Sequence, residues 1–276
     1  MKRSLVTTAL IFLILTLLSL FIASCSDVKA FLLAGEGHRY DKKGQYEEAL
    51  ACYSEVISLK PDFPQAYNER GIVYENLGRY EEAVDDYTKA LLLDPEYSSS
   101  YNNRGNAYSH LGRYGDALRD YDNAVRLDPR ESSAYYNRGL LYSNLRQYDS
   151  AISDFTIAAE LEPDDLDSYL MRGFAYYKLG KYFEAVNDLT TVIESDPKRK
   201  GAYLARGTVF LALPDATRAL EDFSAAIAID PDFAGAYTGL GKTYILLGRK
   251  YDALTNFRKG CDLGDEKGCQ EFDFYN

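Results

Sequence analysis

The sequence predicts an all-α protein built from about seven helix-turn-helix units laid end to end. Three observations carry this. Glycine recurs every 34 residues at Gly37, Gly71, Gly105, Gly139, Gly173, Gly207 and Gly241. An alanine follows twelve residues behind each one: Ala49, Ala83, Ala117, Ala151, Ala185, Ala219 and Ala253. Proline closes six of the units, at Pro61, Pro95, Pro129, Pro163, Pro197 and Pro231. A fixed period of this length marks stacked supersecondary units rather than the one or two globular domains that 276 residues would otherwise allow.

The chain begins with Lys2 and Arg3 and an apolar run from Leu5 to Ala23, the layout of an export signal. The run ends in Ile22-Ala23-Ser24-Cys25, which resembles the bacterial lipobox. That resemblance implies removal of residues 1–24 and attachment of lipid, including palmitate, to Cys25. Ser26 in the next position resembles lipoproteins addressed to an outer membrane. The alternative is an uncleaved signal anchor, since the nineteen residues from Leu5 to Ala23 would span roughly 28 Å as a helix. Both readings give an exported protein held at the cell envelope. Residues 25–29 are then expected to be a short lipidated tether, roughly 15 Å long when extended.

The repeating units run over 30–63, 64–97, 98–131, 132–165, 166–199, 200–233 and 234–267. The second shows why each is a helix pair. Tyr67, Gly71, Tyr74 and Leu77 fall on one helical stripe. Gly78 suits a helix C-cap, and Tyr80, Ala83, Val84, Tyr87, Ala90 and Leu91 form a second stripe. Pro95 then stops the second helix, because proline cannot donate and clashes within a helix interior. One unit cannot bury both apolar faces alone, so units must stack. Arg146 and Pro214 replace the turn glycine in the fourth and sixth units, and Asp265 stands where the seventh would carry proline. Residues 268–276 are expected to be a C-terminal stub of at most two turns.

The 34-residue unit with small, aromatic, small and proline landmarks resembles the tetratricopeptide repeat. The resemblance covers residues 30–267 and implies a right-handed α-α superhelix with a concave groove. The family's usual first-helix tryptophan is tyrosine here, at Tyr67, Tyr101, Tyr135, Tyr169, Tyr203 and Tyr237.

A charge pair follows the same register. Arg70, Arg104, Arg138, Arg172 and Arg206 each precede a glycine, and sixteen residues later stand Asp86, Asp120, Asp154, Asp188 and Asp222. The first and last units lack both members, so the pairs are expected to link the two helices of their own unit.

The family resemblance also implies that first helices line the groove. Its amino-terminal lining would be polar: Asn68, Asn102, Asn103, Asn106, His110 and Asn137. Amides offer both donor and acceptor to an extended peptide. The carboxy-terminal lining would be apolar, with Tyr136, Leu140, Leu170, Phe174, Tyr177, Leu204 and Leu211. Clustered apolar residues on an open groove point to a partner, and self-association is a second use for the same surface.

Composition excludes other classes. The chain carries 31 Lys+Arg against 42 Asp+Glu, net −11, and loss of Lys2 and Arg3 with the signal makes it −13. An acidic surface repels phosphate backbones, so no nucleic-acid partner is expected. With only His38 and His110 and no nucleophile beside a base, no catalytic residue, cofactor or metal site is expected. Cys261 and Cys269 enclose seven residues and resemble the bridged pair of Sel1-like repeats, which implies a disulfide. An exported compartment permits one.

The expected function is a membrane-anchored adaptor that binds protein or peptide segments in its groove. A module for a small hydrophobic ligand is the alternative, and an enzyme is disfavoured.

Overall fold

The computed structural model describes residues 26–276, and the signal 1–24 and Cys25 lie outside them. Every regular element among the described residues is a helix. No described helix is long and apolar enough to cross a membrane. Two compact units divide the chain after Pro129.

The first unit holds α1 (26–42), α2 (Tyr46–Leu59), α3 (Pro64–Asn76), α4 (Tyr80–Leu93), α5 (Ser98–His110) and α6 (Tyr114–Leu127). The second holds α7 (Ser132–Asn144), α8 (Tyr148–Leu161), α9 (Leu166–Lys178), α10 (Tyr182–Ser195), α11 (Lys200–Ala212), α12 (Ala216–Ile229), α13 (Ala234–Leu246), α14 (Lys250–Asp262) and α15 (Glu266–Tyr275). Within each unit, helices adjacent in sequence pack against one another.

Two expectations are corrected at the ends. Residues 26–29 are not an extended tether but the first turn of α1, with Lys29 paired to Glu55 at 2.6 Å and Lys60 to Asp27 at 2.9 Å. The rise over those four residues is about 6 Å, not 15 Å. The C-terminal stub is instead a ten-residue helix, α15, begun by the Asp265 side chain accepting from the Lys267 N–H. Its start two residues before the expected boundary gives it almost three turns. The carboxylate that replaces the unit-closing proline is therefore a helix N-cap. Cys261 and Cys269 are disulfide-bonded with Cα atoms 4.5 Å apart, tying α14 to α15. Tyr275 also stacks on Phe257, centroids 5.9 Å apart.

The turns inside the helix pairs show how the chain reverses in three residues. Gly78 N–H donates to Glu75 O and Arg79 N–H to Tyr74 O, both at 2.8 Å, with Gly78 at φ 72°. These are the two bonds of a Schellman motif, and the left-handed residue is one where glycine carries no Cβ penalty. The apolar contact that accompanies the motif is supplied by a cation over a ring, with Arg79 4.6 Å from the Tyr74 centroid. Arg146 occupies the same turn position at φ 60°. A side chain there costs about 1–2 kcal/mol, partly offset by the lower unfolded-state entropy of a non-glycine residue. Arg146→Gly is expected to raise stability by about 0.5–1 kcal/mol in chemical denaturation. A loss of stability would contradict this account of the turn.

The recurring mid-helix glycines serve a different purpose. A Cβ at Gly71 would lie 2.6 Å from the Tyr87 ring, and at Gly139 2.8 Å from Phe155. Each second helix thus lays a buried side chain against the backbone of the first, an aromatic ring in every pair but α9–α10, where Leu189 meets Gly173. Alanines Ala83, Ala117, Ala151, Ala185, Ala219 and Ala253 are completely buried beside these side chains.

The five arginines and five aspartates meet within their own helix pairs. Arg70 bonds Asp86 at 2.7 and 2.8 Å, Arg104 bonds Asp120 at 2.7 and 2.9 Å, and Arg138 bonds Asp154 at 2.8 and 2.7 Å. Arg172 bonds Asp188 at 2.8 Å twice, and Arg206 bonds Asp222 at 2.9 and 2.8 Å. Each is a parallel two-bond fork on a buried carboxylate. Arg104 also lies 5.7 Å from the centroids of Tyr101 and Tyr108, so part of the tyrosine content flanks these guanidinium groups. A third N–H of the guanidinium reaches back to the preceding helix pair: Arg70 to Ser54 (3.0 Å), Arg104 to Thr88 (3.0 Å), Arg172 to Thr156 (3.1 Å) and Arg206 to Thr190 (2.9 Å). One arginine therefore fastens three helices.

Candidate binding groove

In the second unit, first helices α9 and α11 present Phe174, Tyr177, Leu204 and Thr208 around a cavity of about 400 Å³. Gly173, Leu189, Gly201, Ala205 and Val209 complete its walls, and Lys178 and Lys267 lie at its edge. Phe174 is 42 % exposed, although it sits among residues that are largely covered. Lys178 Nζ lies 5.0 Å from the Phe174 centroid and 5.7 Å from that of Tyr177, which orients both rings. A second hollow of about 250 Å³ continues along Leu204, Thr208, Leu211, Phe223 and Lys242 to Asp265 and Lys267. The α14–α15 turn thus forms one wall, held there by the disulfide and by the Lys242–Glu271 ion pair at 3.0 Å. The ensemble offers an apolar floor with ammonium groups at its rim. Such a surface accepts large apolar side chains and tolerates a nearby carboxylate.

Of the residues expected to line the groove, Phe174, Tyr177, Leu204 and Leu211 come together at these hollows. Tyr136 and Leu140 instead pack beside Ala151, Phe155 and Ala175, with the Tyr136 and Phe155 rings 5.7 Å apart. Leu170 is likewise absorbed by packing, against Val192, Ile193 and Ala202. These three are half-buried on clusters between helices, as are Tyr177, Leu204 and Leu211, which also line the hollows.

The polar set is divided between buried and accessible positions. Asn68 and Asn102 are buried. Asn68 Oδ1 accepts from Ser100 Oγ at 2.8 Å and from Asn103 Nδ2 at 3.1 Å, so these amides join consecutive helix pairs rather than meeting a ligand. Asn106 Oδ1 accepts from the Tyr121 hydroxyl at 2.7 Å, and Asn137 is partly buried. His110 is exposed and stacks on Tyr80, centroids 4.5 Å apart. Among the described residues no three His, Cys, Asp or Glu side chains gather as a metal site would require. Cys52 is a free, half-buried thiol whose pKa is raised, chiefly by burial.

The sequence matches tetratricopeptide repeat models over residues 64–97, 98–131, 132–165 and 170–234, and a TPR repeat model over 37–78. The chain belongs to the tetratricopeptide repeat family. No curated protein matches it. Its fold is similar to that of a tetratricopeptide repeat protein from Parabacteroides merdae, with TM-score 0.66, 23 % identity, and coverage of 90 % of this chain and 98 % of that one. It is similar also to YrrB, a TPR protein with an unusual peptide-binding site, with TM-score 0.59, 25 % identity, and coverage of 67 % and 95 %. A third similar structure is MamA from Desulfovibrio magneticus, with TM-score 0.55, 27 % identity, and coverage of 62 % and 97 %.

Within this tetratricopeptide repeat chain the sequence reading missed three features. Ser54, Thr88, Thr156 and Thr190, the third partners of the arginines, share the 34-residue register, so a signal for them was present. Lys267 and the α14–α15 turn reach the cavity only through tertiary folding, and no spacing announces that. Glu75 is the third. Its carboxylate accepts from the Tyr87 hydroxyl at 2.5 Å, and burial, opposed by that bond, raises its pKa to about 7. The folded chain therefore keeps a proton that the unfolded chain, with an ordinary value of 4.5, releases. Folding takes up this proton between those two values, so Glu75 makes stability fall as pH rises through that window. Glu75→Gln keeps an acceptor but no charge. Its stability relative to the parent is expected to improve steadily from pH 4.5 to 7 in thermal melts, whereas a constant difference would contradict the assignment.

Proposed function

We propose that the protein is an exported, membrane-anchored adaptor that binds a protein or peptide segment in the groove of its second unit. The tetratricopeptide repeat is in general a protein-binding scaffold, and the observation that carries the finer reading is the cavity around exposed Phe174. A core residue at that place would be covered, while a partner's apolar side chains would occupy part of the cavity of about 400 Å³ and shield the ring. Lys178 and Lys267 favour a segment with a carboxylate near that side chain. They are local cations in a chain of net charge −11. The lipobox-like string supports anchoring through Cys25 and an outer-membrane address, and the net charge of −11 argues against nucleic acid as the partner.

Filling the cavity tests the groove. Proteins that copurify with the parent chain and are lost with Thr208→Trp, the variant's helical circular dichroism being unchanged, are the expected result. Identical sets of partners from both would reject groove binding. Cys25→Ala is expected to abolish palmitate labelling and leave the unprocessed chain; persistent labelling would reject the anchor. The same half-open apolar cavity supports a second reading, a small hydrophobic ligand, which predicts an organic-extractable molecule released from the parent chain and absent from Thr208→Trp.

A further inference from the structure

Helix α1 is apolar on two faces, and the other described residues cover one of them. Ala30 is buried with Val56 and Ala66, and Leu33 and Ala34 pack on the same cluster. On the other side Val28, Phe31 and Leu32 are 58 %, 79 % and 61 % exposed. Gly35 extends this stripe, and a Cβ there would meet nothing within 4 Å. Positions 28, 31, 32 and 35 follow the i, i+3, i+4, i+7 spacing of one helix face. The charges near the stripe are paired: Asp27 with Lys60 and Lys29 with Glu55 towards α2 or its C-cap, and Glu36 with Arg39 at 3.4 Å at the stripe's far end, beside Leu32 and Gly35. At the other end of the chain, α15 closes the last helix pair. Among the described residues of its unit the amino-terminal helix has no such cover.

What stands directly before this face in the chain is decisive. Phe31 lies five residues, about 8 Å of helix rise, from the first described residue. The sequence ahead of it is the apolar run Leu5–Ala23 and Cys25, the proposed anchor. A chain fixed to a bilayer there places the stripe within reach of the headgroup–acyl boundary, where an exposed apolar helix face gains from burial.

We propose that Val28, Phe31 and Leu32 seat in the membrane interface, a second contact beside the anchor that sets how the first helix pair stands on the bilayer. This rests on the membrane attachment proposed above. The partner is a lipid surface recognised by apolar burial rather than charge, since an acidic chain gains nothing from anionic headgroups.

The chain contains no tryptophan, so a single one is a clean reporter. The full chain carrying Phe31→Trp or Leu32→Trp is reconstituted into phosphatidylcholine vesicles with brominated acyl chains. Leu92→Trp, exposed on α4 in the next helix pair, is the comparison. Fluorescence at positions 31 and 32 is expected to fall roughly twofold on brominated relative to ordinary lipid, while position 92 stays unchanged. A chain that floats with the vesicles but shows no quenching at 31 and 32 overturns the seat and leaves the attachment standing. A chain that does not float overturns both. Unquenched emission that shifts to the blue as protein concentration rises assigns the face to a second copy and likewise overturns the proposal.

Discussion

Arg172→Leu is expected to lower stability by about 3–5 kcal/mol, and adding Asp188→Leu to restore a large part of the loss. Asp188 is buried, with 6 % of its side chain exposed, and both its oxygens accept from one guanidinium. Removing the arginine leaves that carboxylate without a counter-charge in a site water hardly reaches. The hydrogen-bonded carboxylate also holds the Arg172 pKa above its ordinary value. The double variant removes the charge together with its partner, leaving two apolar side chains of tolerable volume. Thr156 loses a bond in either case, so recovery is expected to be incomplete. Denaturant melts of the two variants decide the matter, and equal losses in both would contradict the clamp. Because stability in stacked repeats is carried between neighbours, amide exchange is expected to rise first in α8, α9 and α10.

The second large effect is expected at Phe223. Its ring is fully buried, and virtual Cβ atoms at Gly207 and Gly239 would lie 2.9 and 2.5 Å from it. The ring therefore fills a slot between α11 and α13 that exists only because both helices carry glycine there. Phe210, Ala219 and Leu240 complete the surrounding cluster. Phe223→Ala is expected to cost about 3–5 kcal/mol, since two glycine-bearing backbones cannot collapse onto an alanine. A loss below about 1.5 kcal/mol, the range of a tolerated volume change, would show that the slot closes and that the glycines are not spacers for this ring.

The repeat was legible because it is enforced by local rules that recur. Gly78 marks a left-handed turn and Pro95 a stop, and Gly71 meets Tyr87 at a distance where any Cβ would clash. Those requirements act within about 34 residues and leave their mark in register. Joint presence of Arg70 with Asp86, and joint absence in the end units, likewise marked a contact within one unit.

The groove was only partly legible. Asn68, Asn102, Tyr136, Leu170 and Leu204 occupy one register position, yet their surroundings differ. An amide at that position is consumed by Ser100 and Asn103 of the next pair, whereas Leu204 remains at the rim of a cavity. Register says which helix face a residue is on. It does not say whether a neighbouring side chain is large enough to cover it. Glu75 escaped for the same reason, since its perturbation comes from the depth of the Tyr87 hydroxyl beside it. The ends were misjudged because the period stops there. Asp265 read as a missing proline while its chemistry is that of a helix cap.

A photo-crosslinking side chain placed at position 174 in living cells tests the central claim most directly, with position 183 as the comparison. Phe183 is the more exposed of the two and lies on second helix α10, away from the cavity lining. The account predicts a discrete protein adduct from position 174, lost when Thr208→Trp fills the cavity, and none of comparable yield from position 183. Equal adducts from both positions, or a 174 adduct indifferent to the filled cavity, would contradict it.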